Sequence, residues 1–136
     1  MIGSPIEQFT RMMFTRIITG LSRSLRENEF TVAQIAALHL VDQQGMMRVS
    51  ALAEELGLSA SAGSRLIDGL VQRGLLARAE DPADRRAKML TLSAEGRRFI
   101  EHTSAERLRV IEETAQSLPA RMLKGLFAAI KGLKSQ

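Results

Sequence analysis

Residues 49–92 read "VSALAEELGLSASAGSRLIDGLVQRGLLARAEDPADRRAKMLTL", and the order of signals within them decides the fold. "VSALAEELG" predicts a short helix capped by Ser50, with Leu52, Ala53 and Leu56 turned inward and Gly57 in the left-handed position that ends it. "LSAS" opens a second helix with Ser59 as N-cap, an inner face of Leu66, Ile67 and Leu70, and Gly74 as its close. Two short apolar runs follow, 75–79 and 88–92, separated by an Asp-Pro turn signal, which is the pattern of a β-hairpin with a charged loop. Helix, glycine turn, helix and hairpin together spell a helix-turn-helix with a wing. Ala53 falls where the two helices cross closely, and Leu58 and Leu66 fill the space between them. A generic helical hairpin in a bundle competes with this reading until the β-hairpin is counted.

The flanks are helical. "SPIE" sets Ser4 as cap, Pro5 at the first helical position and Glu7 as the returning partner. Ile6, Phe9, Met13, Ile17, Leu21 and Leu25 then repeat at helical spacing to about Glu27. "TVAQ" at 31–34 is a second capping box, opening a helix that runs to about Gln43 ahead of Gly45. Ser93 caps a long helix carrying Phe99, Leu108 and Ile111 to about Ser117, and Pro119 begins a last one with Met122, Leu126, Phe127, Ile130 and Leu133. The predicted class is mainly α with a small antiparallel β-hairpin, one domain over 1–136. Its lobe spans 31–93, and the helices of 4–27 and 94–134 are left for dimerisation. Terminal helices this apolar exceed what one small lobe can cover, so a homodimer is expected through Phe9, Met13 and Ile17 with Leu126, Phe127 and Ile130.

Composition narrows the function classes. The 19 Lys and Arg against 15 Asp and Glu give a net charge of +4, which permits an anionic partner without demanding one. The absence of cysteine removes disulfides, thiolate nucleophiles and cysteine-based zinc sites, and is compatible with the reducing cytoplasm expected here. No apolar run approaches the ~20 residues that span a bilayer. No glycine-rich phosphate loop, nucleophile beside a histidine or metal-ligand spacing is present, so an enzyme, a metal site and a cofactor are not expected.

The solvent face predicted for the second helix of the motif carries Ser61, Arg65, Asp68 and Gln72, with Ala60 and Ser64 beside them. Small residues at a helix start let backbone N–H groups approach phosphates, and Arg65 can reach a base edge or a phosphate. An ordinary solvated face is the competing reading. Arg85 and Arg86 sit at the predicted wing tip, where a minor groove concentrates negative potential. Asp81 and Asp84 are then acceptors that order the loop, and Asp68 pairs with one of the wing arginines. The expected contact set for double-stranded DNA is Ser59, Ala60, Ser61, Ser64, Arg65, Arg73, Arg85, Arg86 and Lys88. Met12, Arg16 and His39 are the candidates for a small-molecule effector site. A winged-helix module that binds protein in place of DNA is the alternative.

"SRLIDGLVQRGLL" (64–76), "DPADRR" (81–86) and "LSAEGR" (92–97) resemble the DNA-binding core of the MarR family of winged-helix regulators over about residues 48–98. The resemblance implies a regulator, expected to be a repressor, acting as a homodimer held by the N-terminal and the two C-terminal helices. It further implies a recognition helix beginning near Ser59, a wing arginine matching Arg86 in the minor groove and, in many members, a small-molecule pocket. One departure stands out. Ala62 and Gly63 replace the usual Thr-Val, which is expected to cost about 1 kcal/mol of helix propensity plus packing. Close approach of Met46, Met47 or another bulky neighbour is the reason the sequence suggests.

Overall fold

A computed structural model describes residues 5–133. In chain order these form helix α1 (Pro5–Glu27), α2 (Val32–Gln44), strand β1 (Met47–Arg48), α3 (Val49–Glu55), α4 (Ala60–Gln72), β2 (Leu76–Glu80), β3 (Lys88–Leu92), α5 (Ala94–Gln116) and α6 (Ala120–Leu133). Mainly α with a small antiparallel sheet is therefore the class. The expected cap Ser4 lies outside the described residues. No helix among them is long and apolar enough to cross a membrane.

Local chemistry accounts for the helix starts. Thr31 accepts the Gln34 N–H while the Gln34 side chain accepts the Thr31 N–H, a complete capping box on α2. Ser59 Oγ accepts the Ala62 N–H at the start of α4, and Ser93 Oγ does the same for Gly96 below α5. The reading of Ser50 as a cap is corrected: α3 begins at Val49 and its N-cap is Arg48, with no side-chain bond. The reason is a third strand that the sequence did not reveal. Met47 and Arg48 pair antiparallel with Leu90 and Met89, so the chain enters α3 straight from extended backbone. The sheet order is β1-β3-β2, with β2 joined to β3 from Leu76↔Leu92 to Glu80↔Lys88.

The chain divides into two compact units. The larger is Ser24–Ser104; the smaller comprises the described residues up to Arg23 together with those from Ala105 onward. The larger unit exceeds the 31–93 read from the sequence because both flanking helices contribute to it. Phe30 and Phe99 pack with ring centroids 4.7 Å apart and planes tilted by 47°, and Ile100 is buried. Leu38, Leu52, Ile67, Leu70 and Leu90 are fully buried at its centre, at about 1.5–3 kcal/mol each for the apolar surface removed from water. Gly57, at φ 64°, makes the turn between α3 and α4.

In the smaller unit, Thr114 is fully buried; its hydroxyl donates to the Val110 carbonyl and accepts from Arg16 Nη1 at 3.1 Å, joining α1 to α5. The apolar positions expected to face a partner divide by exposure. Phe9, Met13 and Ile17 are half-buried within the protomer, whereas Phe14 is 65% and Phe127 59% exposed, with Ile18, Leu108, Ile111 and Met122 also exposed. The side chains of Leu126 and Ile130 lie outside the described residues.

Gly63 has a close neighbour, and it is neither Met46 nor Met47. A Cβ built at Gly63 would lie 2.5 Å from the Cβ of Ala53, so α3 and α4 touch at their smallest residues. Gly69, on the same helix, would place a Cβ no nearer than 3.8 Å to the Gln34 side chain. The two glycines should therefore respond oppositely to alanine. Gly69→Ala is expected to stabilise by about 0.5–1 kcal/mol through helix propensity. Gly63→Ala should lose ~1–3 kcal/mol to overpacking, outweighing the same propensity gain. Urea unfolding of the two variants checks this pair of signs.

Candidate nucleic-acid interface

The site is built from the start of α4, the strand that follows it and the hairpin loop. Ser59, Ala60, Ser61, Arg65, Asp68 and Gln72 are exposed and Ser64 half-exposed, so the polar stripe of α4 does face outward. Beneath it Ile67 and Leu70 are fully buried and fix the rotation of the helix. Ser59 Oγ and Ser61 Oγ approach to 3.3 Å at the N-terminus. A groove of about 650 Å³ runs between α4 and the hairpin, and its lining includes Ser64, Asp68, Arg78, Arg86, Lys88 and Arg48.

The cations of this region fall into two groups. Arg78 on β2 reaches Asp68 on α4 at 2.6 Å, which corrects the expectation that Asp68 pairs with a wing-tip arginine. A strand residue beside the helix can reach that carboxylate, and it leaves the tip uncommitted. With its partners 35% and 51% exposed, the pair stabilises by about 0.2–1 kcal/mol at most, so its main effect is to neutralise Asp68. Arg73 is engaged within the fold: its guanidinium donates to the Glu29 and Asn28 carbonyls and lies 3.7 Å over the Phe30 ring, so it ties the end of α4 to the end of α1. Lys88 lies 3.8 Å from Glu80 across the hairpin. Among the described residues of α4 and the hairpin, Arg65, Arg85 and Arg86 have no ion-pair partner, and all three are exposed.

The loop that carries Arg85 and Arg86 is organised by its acids. Asp81 Oδ1 accepts the Ala83 N–H and Asp84 Oδ1 accepts the Arg86 N–H, each from two residues on, in two successive Asx-turns. Main-chain bonds close the loop: Asp81 N–H to Ala87 O, Asp84 N–H to Asp81 O and Ala87 N–H to Asp84 O. Asp81 is buried, and its second oxygen accepts from Arg48 Nε at 3.1 Å and from Arg48 Nη2 at 2.6 Å. Arg48 is a site residue the sequence reading missed. It stands before a predicted helix, 33 residues from its partner, and only the β1–β3 pairing brings the two together.

The effector candidates are not gathered into the groove. Met12 is half-buried on α1, Arg16 is held by Thr114, and His39 is half-buried on α2 in the other unit.

A helix-turn-helix whose second helix is flanked by a three-stranded wing defines the winged-helix class. Comparisons with known proteins agree. The MarR family pattern matches residues 30–88. The HTH-type transcriptional repressor MdtR of Bacillus subtilis is 31% identical over 93 residues, 68% of this chain and 60% of MdtR, so the match spans less than two thirds of that relative. Among solved structures, the transcriptional regulator Tm0710 of Thermotoga maritima is 30% identical with a TM-score of 0.81, over 98% of this chain and 94% of that one. YusO of Bacillus subtilis is 27% identical with a TM-score of 0.73, over 98% and 95%. The chain belongs to the MarR family.

The Ala83 N–H and the Arg48 guanidinium both favour the charged carboxylate and hold Asp81 below its ordinary value of 3.8, against the opposing effect of burial. A depressed folded value means that the bonds to Asp81 are fully present above the unfolded value and are lost only as the pH falls through the folded one. The bonds to Asp81 should therefore be unchanged above about pH 5, roughly one unit over the ordinary Asp value, and be lost only in acid. Carboxyl NMR of Asp81 checks this: the midpoint should lie below 3.8 and rise in Arg48→Met.

Proposed function

We propose that this protein binds double-stranded DNA sequence-specifically as a homodimer and represses transcription, with α4 in the major groove and the hairpin loop in the adjacent minor groove. The observation that carries the reading is the sorting of arginines. Around the groove, Arg48, Arg73 and Arg78 are engaged with carboxylates, carbonyls or a ring, while Arg65, Arg85 and Arg86 stand exposed on the two elements such a protein offers to a duplex. An arginine whose charge is uncommitted can replace condensed counterions on phosphate without first breaking a bond in the protein. Asp68, neutralised by Arg78, does not oppose the approach. Repression follows the description of MdtR as a repressor.

Six exposed large apolar residues on α1, α5 and α6, Phe14 and Phe127 the most exposed, support the dimer, because such surface is normally covered. A two-fold dimer places two copies of α4 on one face of the duplex. On the family resemblance alone the proposal extends to release by a small-molecule effector, with Met12, Arg16 and His39 the first positions to substitute.

Fluorescence anisotropy with a labelled duplex tests the reading. The logarithm of affinity should fall linearly with that of salt concentration, and Arg86→Ala should cost roughly 1–3 kcal/mol and reduce the slope by about 1. Arg65→Ala should instead flatten preference at particular bases. Binding that is indifferent to salt and to Arg86 would point to a protein partner. For the dimer, Phe14→Asp with Phe127→Asp should shift sedimentation toward a 15.0 kDa species without unfolding the Ser24–Ser104 unit.

A further inference from the structure

Resting on the DNA-binding reading, we infer that Arg48 is a positioning residue for it: Arg48 aims the wing through Asp81 and is not itself a contact to DNA. A chain of bonds runs from one to the other. Arg48 donates twice to Asp81 Oδ2; the Asp81 carbonyl accepts the Asp84 N–H; Asp84 Oδ1 accepts the Arg86 N–H. The first link joins two bodies, because Arg48 is fixed at the junction of β1 and α3 while Asp81 begins the loop beyond β2. The later links lie within the loop and give it shape but no direction.

The burial of the two partners is unequal, and that assigns the roles. The Asp81 side chain is 9% exposed, and the Arg48 side chain 48%. The Asp81 carboxylate is enclosed while the guanidinium that caps it reaches solvent, so removing Arg48 takes away the charged partner that holds the acid in place and frees the loop that Asp81 begins. Arg48, by contrast, lines the same groove as Arg86 and Lys88, and its charge alone would make it look like one more phosphate ligand. Its two best donors are already directed at one carboxylate oxygen.

The two roles predict opposite signs for one substitution. If Arg48 were a phosphate contact, Asp81→Ala would release it, remove a negative charge from the groove and tighten binding. If Arg48 positions the wing, Asp81→Ala and Arg48→Ala weaken binding alike, although they change the charge in opposite directions. The experiment is a set of cycles in the full chain with a fluorescein-labelled duplex of mixed sequence at low salt, read by anisotropy. Each single variant should show a several-fold loss, the double variant Arg48→Ala/Asp81→Ala no more than either, and Arg86→Ala little further loss in the Arg48→Ala background. Arg48→Lys, which keeps the charge but loses the fork, should restore only part of the affinity.

Amide hydrogen exchange gives a readout without DNA. Ala83 and Arg86 N–H should exchange faster in Arg48→Ala, with the α4 core unchanged, which separates a loosened wing from a damaged fold. Tighter binding by Asp81→Ala, additive losses, or unchanged exchange at Ala83 and Arg86 would overturn the inference. A wild-type chain that fails to bind the duplex at any salt brings down the DNA reading and this inference with it. Wild-type binding with additive losses removes the inference alone.

Discussion

The contact between Ala53 and the Cα of Gly63 is the constraint on which the rest depends. With no Cβ at Gly63, α4 settles against α3 at a distance that any other residue would prevent. From that approach follow the burial of Leu52, Ile67 and Leu70 on one side and the exposure of Ser61 and Arg65 on the other. The next joint is equally tight. A Cβ at Gly96 would meet the Leu75 carbonyl, whose oxygen accepts the Ser93 N–H, so the first turn of α5 is fitted against the start of the hairpin. Helix α4 and the wing are thus held at both ends by backbone approaches that leave little room for adjustment.

Electrostatics adds direction to this frame. The hairpin is tied to its surroundings by Arg78 to Asp68 and by Arg48 to Asp81, and within its loop by two Asx-turns. Acids that cancel the net charge on paper are thereby used up locally, one oxygen at a time. The cations left over are those that protrude. Within the six residues from Asp81 to Arg86, both acids accept backbone N–H groups of the loop while both arginines stand exposed.

Much of this was legible in the sequence where the signal is local. Thr31 and Gln34, Ser59, Ser93 and Pro119 mark helix starts by chemistry within three residues, and the structure has helices there. The Asp-Pro turn between two apolar runs marked the hairpin in the same way. What stayed hidden depends on partners distant in the chain. Two-residue β1 has no alternation to detect, and without it Ser50 looks like the cap and Arg48 like a spare charge. Arg73 reads as a surface cation until Phe30 and two carbonyls are placed beneath it. On α1, Met13 and Phe14 are both apolar at helical spacing, and periodicity alone does not decide which faces the protomer and which faces outward.

Selection of bound sequences from a pool of random duplexes decides whether α4 and the wing read DNA in a two-fold arrangement. Enrichment of an inverted repeat with half-site centres about 10 bp apart is expected. A pool that stays unenriched, or one that enriches a motif without two-fold symmetry, would contradict it.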